Sequence, residues 1–109
     1  LGSDSVASNN VCDLLEESRF AALSARNRDG SERFVGARDV LEAGTVGGAK
    51  ALNLDHLIGT LDVSKQADIA VVSLENNAQQ PVSDIHAAIV FSSNARDVVM
   101  TLVSGRRVY

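Results

Sequence analysis

The chain has no tryptophan, one tyrosine, three phenylalanines, one cysteine, one proline and one methionine. With aromatics at 4%, there is no series of rings on which bases could stack. Its ten basic residues are interspersed with fourteen acidic ones, giving a net charge of -4 and no basic stripe to follow a phosphate backbone. Nucleic acid is therefore set aside as a partner. No apolar run approaches the roughly 18 residues a membrane span requires, so no membrane partner is expected either. A lone cysteine, Cys12, cannot form an internal disulfide, which suits a reducing, cytoplasmic setting. Neither an initial Met nor the charged and apolar regions of a signal peptide open the chain; the expectation is a chain that begins in mid-protein. Histidine is scarce as well. His56 and His86 stand apart, and neither has a partner at a metal-ligand spacing.

What is present is an ordinary globular composition, with 45% apolar and 22% charged residues. The core must come from Val, Leu, Ile and Ala, as in buried parallel sheets and the helices that cover them. Leu1-Gly2-Ser3-Asp4-Ser5 reads as the end of a buried strand that delivers Asp4 to a polar turn. A helix is expected from Val11 to Arg26, with Asn10 as its N-cap and Asp13 completing a variant capping box. Asp13, Glu16 and Glu17 would load the positive end of its dipole and Arg26 the negative end. Val11, Leu15, Ser18, Ala22 and Ala25 form one stripe, which Leu14, Phe20 and Leu23 broaden, so cover on more than one side is expected. Cys12 near the helix start is a candidate stabilised thiolate, although a small apolar helix residue is the commoner reading. Asp29-Gly30-Ser31 reads as an exposed turn.

Ala37 to Gly44 is a second helical pattern, and Thr45 is placed to cap a third over Val46 to Leu52. Gly47-Gly48 within it costs roughly 1 kcal/mol per glycine relative to Ala, which is tolerable where another backbone comes close. A phosphate-cradling loop is rejected, because no strand leads in and Lys50 lies outside the P-loop spacing. Beyond Leu54 the period becomes extended. Ile58 to Val63 alternates like a half-buried strand, and Ile69-Ala70-Val71-Val72 reads as a strand buried on both faces. Asn76 to Gln80 is a polar loop, and Ser83 or Asp84 caps a short helix from Ile85 to Phe91. Val98 to Val103 and Arg106 to Tyr109, joined through Ser104-Gly105, form a tight hairpin.

These segments resemble the metal-dependent amidohydrolases, in the branch of the chlorohydrolases and the guanine, cytosine and adenosylhomocysteine deaminases. Leu1 to Ser5 with Ser8-Asn9-Asn10, and Asp13 to Arg19, are similar to the last barrel strand and its helix. Thr45 to Leu52 is similar to the helix after the barrel. Ile58-Gly59-Thr60-Leu61-Asp62-Val63-Ser64-Lys65-Gln66-Ala67-Asp68-Ile69 resembles the family's Gly-Ser/Thr-Leu-x-x-Gly-Lys-x-Ala-Asp signature. Ala95 to Val98 and Val103 to Tyr109 match the final hairpin. Two positions depart from the pattern. Ser64 stands where the family has Gly, and Asn53 stands where Gly often follows Ala-Leu.

The resemblance implies an α/β fold, the C-terminal fragment of a (β/α)8 barrel joined to a small β-sandwich. Residues 1–54 would supply the last strand end and helices of the barrel, and residues 55–109 the C-terminal share of the sandwich. It also implies one divalent metal, zinc or alternatively iron, held in the full-length parent by histidines upstream and by Asp4. Asp4 is accordingly the candidate metal ligand and catalytic residue: a carboxylate beside a metal-bound water can take its proton and return it to a departing amine. On residue chemistry alone, an Asp capping the next turn would be preferred. Ser3 and Ser5 read as turn hydroxyls, Glu16, Glu17 and Arg19 as a solvated or interhelical charge set, Lys65 and Asp68 as turn chemistry, and both histidines as residues of surfaces or interfaces. The expected activity is hydrolysis of a non-peptide C–N bond in a small molecule by a homo-oligomeric parent, with the 109-residue chain inactive alone. The alternative is a free-standing, non-catalytic assembly or binding module. The substrate itself is not legible.

Overall fold

The computed structural model describes residues 1–28 and 34–109; the turn expected at Asp29-Gly30-Ser31 lies outside them. Helices α1 (Val6–Asn9), α2 (Leu14–Arg26), α3 (Ala37–Gly44) and α4 (Val46–Ala51) come first. A long irregular connection follows, then β1 (Ile69–Val72), α5 (Ile85–Ala87) continuing as a π-helical stretch at Ala88–Ser92, β2 (Val98–Val103) and β3 (Arg106–Arg107). Short 3-10 turns stand at Asn77–Gln79 and Ala95–Asp97.

The helix expected from Val11 begins later and has a different cap. Asp13 is extended, and its Oδ1 accepts the N–H groups of Leu15 and Glu16 at 3.0 and 3.2 Å. Its Oδ2 accepts the Ala95 N–H at 2.8 Å, from 82 residues away. A side chain that satisfies the helix start and a distant loop together outcompetes Asn10. That residue instead ends α1 in the left-handed region at φ 63°. Cys12 consequently lies ahead of the helix and is exposed.

Ser18 and Ala22 are the buried residues of α2, and the Ser18 hydroxyl is satisfied by the Leu14 carbonyl at 2.8 Å. Ala22 joins Ala37, Val40 and Val90 in the core, with Ala21, Val35, Leu41, Ala87 and Phe91 packed around them. The alanines let α2, α3 and the π-helical stretch approach closely. Arg26 ties the end of α2 to this assembly. Its Nε donates to the Val35 carbonyl at 3.0 Å, and its guanidinium lies over the rings of Phe34 and Phe91 at 4.4 and 4.8 Å. The described residues do not cover all of α2: Leu14 and Phe20 remain more than half exposed.

The corner between α3 and α4 explains its glycines. A Cβ on Gly47 would lie 3.2 Å from the Glu42 carbonyl oxygen, so the close backbone expected there is the end of α3. The Thr45 hydroxyl bonds back to the Leu41 carbonyl at 2.7 Å and leaves α4 without a side-chain cap.

Ile58 to Val63 forms no strand. Gly59 has φ +95° and sits so near α4 that an added Cβ would be 2.8 Å from the Ala49 Cβ. Lys65 Nζ closes the segment into a loop by donating to the Asp55 and Ile58 carbonyls at 2.6 and 3.4 Å. The alternation is real, but a strand also needs a neighbour's ladder, and the described residues offer none. Leu1 to Ser5 lacks strand pairing for the same reason, and Leu1 is exposed.

The sheet is three-stranded and antiparallel in the order β1-β2-β3, with Ile69 opposite Leu102 and Leu102 opposite Arg107. β1 is exposed at Ala70 and Val71, so it is not buried on both faces as expected. Ser104 and Gly105, at φ 49° and 74°, make the tight turn that the sequence predicts. Asp68 bonds the Ser104 N–H at 2.7 Å, 36 residues on, and so serves the hairpin instead of its own turn. Ser64 and Asn53 are both left-handed, at φ 78° and 57°; Ser bears the larger cost there, about 1–2 kcal/mol.

Two substitutions test this account by urea denaturation. Asp13→Ala removes a cap and orphans Ala95, and is expected to destabilise by at least about 2 kcal/mol; a change within experimental error would contradict the assigned bonds. Gly59→Ala is expected to cost more than about 1 kcal/mol, whereas Gly2→Ala, with nothing within 4 Å of the added methyl, should leave stability unchanged.

Candidate active site

Asp4 opens a short loop that turns directly into α1. It is exposed and left-handed, at φ 58°, a conformation Asp tolerates better than most residues because its side chain can bond locally. That bond is present: Oδ1 accepts the Ser5 N–H at 2.8 Å. Oδ2 has no hydrogen-bond partner among the described residues. Ser5 and Ser8 share a hydroxyl–hydroxyl contact of 3.1 Å, as turn hydroxyls would. Asn9 holds the loop, donating from Nδ2 to the Ser3 carbonyl at 3.2 Å and also to Glu17 Oε1.

Glu17 was expected in a charge set with Glu16 and Arg19. Among the described residues Arg19 pairs with Glu16, at 3.4 Å, while Glu17 faces the Asp4 loop. The link between Asn9 and Glu17 escapes sequence reasoning because it joins a loop residue to a helix residue, and no periodicity relates them.

Asp4 fits the part of one carboxylate donor to a metal, since it is exposed and keeps one oxygen uncommitted. The rest of a metal centre is missing, for no cluster of three or more His, Cys, Asp or Glu side chains exists among the described residues. His56 and His86 are exposed and distant in sequence, as expected of surface residues. An open apolar cleft of about 450 Å³ lies between Leu15, Leu41, Ile58, Ile69 and Ile89, but Asp4 does not line it. No helix is long and apolar enough to cross a membrane among the described residues.

Asp84 caps α5. Its Oδ1 accepts the His86 N–H at 2.9 Å and lies 3.3 Å from the His86 ring Nδ1. The backbone bond from His86, more than the neighbouring imidazole, holds the carboxyl below its ordinary value of 3.8.

The model of the amidohydrolase family matches residues 1–108. A 5'-deoxyadenosine deaminase of Methanosarcina acetivorans is 42% identical over 106 residues, covering 97% of this chain and 24% of that protein. A 5-methylthioadenosine/S-adenosylhomocysteine deaminase of Moorella thermoacetica is 36% identical over the same length, covering 97% and 25%. Among solved structures, a zinc-bound adenosine deaminase from Xanthomonas campestris superposes with a TM-score of 0.89 at 31% identity, over 94% of this chain and 24% of that one. The zinc complex of an atrazine chlorohydrolase from Arthrobacter aurescens gives 0.84 at 28%, over 94% and 23%. This chain belongs to the amidohydrolase family. It spans about a quarter of the length of the curated relatives it matches.

Because the folded-state pKa of Asp84 is depressed, the stabilisation by its cap is complete above the unfolded value and is lost as pH falls through the folded one. A carboxyl-carbon NMR titration is expected to place its midpoint below 3.8, with α5 loosening through the same range. A midpoint at or above that value would remove the cap as the cause.

Proposed function

We propose that residues 1–109 are the C-terminal part of a metal-dependent hydrolase that cleaves non-peptide C–N bonds, of the deaminase type, with Asp4 as metal ligand and proton shuttle. In this reading residues 1–54 complete a (β/α)8 barrel and residues 55–109 contribute to a small β-sandwich. Catalytic residues of such barrels lie where strands end and loops begin, which is the place the resemblance gives Asp4.

The observation that carries the reading is the match of nearly the full chain to deaminases, at up to 42% identity, through the segment containing Asp4. The names of these relatives favour a nucleoside with an adenine-type amine as the substrate class. The reaction adds water across the ring C–N unit and releases ammonia, leaving a carbonyl. Zinc, as in the two solved relatives, would supply a bound water acidified toward neutrality. Asp4 then has two tasks: it receives a proton on a carboxylate oxygen as water attacks, and it delivers that proton to the amine as it leaves. An amide at this position could accept a hydrogen bond but could not carry the proton.

Asp4→Asn in the full-length protein is therefore expected to lower turnover of adenosine by about 10²–10⁴-fold, with the circular dichroism spectrum retained. The 109-residue chain alone should show no turnover and no stoichiometric zinc by metal analysis, because one carboxylate cannot hold a catalytic metal. Deaminase activity with bound zinc in the isolated chain would refute the division of ligands.

A further inference from the structure

Asp4 is left-handed, at φ 58°, a conformation that non-glycine residues adopt only when local bonds hold them there. It persists only where the surroundings over-determine it. The bond from its own Oδ1 to the Ser5 N–H is one constraint. The other comes from outside the turn. The Ser3 carbonyl belongs to the peptide unit whose nitrogen begins Asp4, so fixing that oxygen fixes the plane about which Asp4 φ is set. Asn9 Nδ2 donates to this oxygen at 3.2 Å and also to Glu17 Oε1; a primary amide has the two hydrogens to do both. Glu17 lies in the first turn of α2, the helix whose start Asp13 anchors to Ala95. A continuous line of bonds thus runs from the body of the fold to the peptide ahead of Asp4.

We propose that Asn9 and Glu17 are positioning residues for Asp4, setting the peptide plane that precedes it and so the direction of its carboxylate. This rests on the reading of Asp4 as the ligand and proton shuttle of the full-length enzyme. Glu17 contributes through its acceptor oxygen, not through its charge, since its partner is a neutral amide.

The test uses the full-length enzyme with zinc and adenosine. Asn9→Ala and Glu17→Ala are each expected to lower kcat by about 10–100-fold, the range for residues that orient a metal ligand, with KM little changed. Zinc retained after dialysis against a chelator should fall in parallel. Glu17→Gln keeps the acceptor and should restore both. The double Ala variant should fall no further than either single one, because the two residues act in series. If Asn9→Ala and Glu17→Ala keep wild-type kcat and zinc while Asp4→Asn loses activity, the positioning role is overturned and the reading of Asp4 stands. Full activity in Asp4→Asn overturns the underlying reading instead. Failure of Glu17→Gln to rescue, or additive losses in the double variant, also overturns the proposal. Should Asn9→Ala fail to fold, the Glu17→Ala and Glu17→Gln pair decides it, with thermal midpoints measured on the same samples.

Discussion

The carboxylate of Asp13 holds the two ends of the chain in one structure. One oxygen takes the free N–H groups at the start of α2, and the other takes the Ala95 N–H just ahead of β2. The side chain is only 7% exposed, so these bonds form where water competes poorly, and each N–H would be costly to leave unpaired. The start of α2 is thereby pinned against the turn that leads into the sheet. The stripe of Ser18 and Ala22 is then directed at α3 and the π-helical stretch. Glu17, in that same first turn, is aimed at the Asp4 loop.

The region around Asp4 follows from this anchoring. A left-handed Asp, a helix of four residues and a left-handed Asn10 give a tight reversal between Ser3 and Asp13. Such a reversal is stable when its polar groups are satisfied from neighbouring elements, and Asn9 supplies that link. The result is an exposed carboxylate on a tied loop. The apolar cleft beside α2 and β1 is of a different kind. Its lining is mostly aliphatic and does not include Asp4, so size alone is a poor guide to where chemistry lies.

Much of the fold was legible in local patterns. The hairpin followed from Ser104-Gly105, the short helix after Asp84 from its cap, and the α3–α4 corner from Gly44 and the paired glycines, whereas the Thr45 hydroxyl turned back to Leu41 instead of capping α4. These signals act within a few residues and depend little on the rest of the molecule. The misread segments have another origin. Ile58 to Val63 alternates correctly for a strand, yet Gly59 is pressed against Ala49 and Lys65 reaches back to Asp55. Asn10 is as good a cap as Asp13 on local grounds, and only the contact with Ala95 separates them.

For the candidate site the division is similar. Residue types and their order, from Leu1-Gly2-Ser3-Asp4 through the Lys65–Asp68 signature to the final hairpin, were sufficient to indicate the family, and the resemblance made Asp4 the candidate site residue. Those features are linear, and a linear string carries them fully. Which side chains tie the Asp4 loop to α2, which face of α2 is buried, and whether an alternating segment becomes a strand were decided by folding. Each of these depends on a hydrogen bond or van der Waals contact between residues that no local pattern pairs, and such contacts exist only once the backbone has folded back on itself.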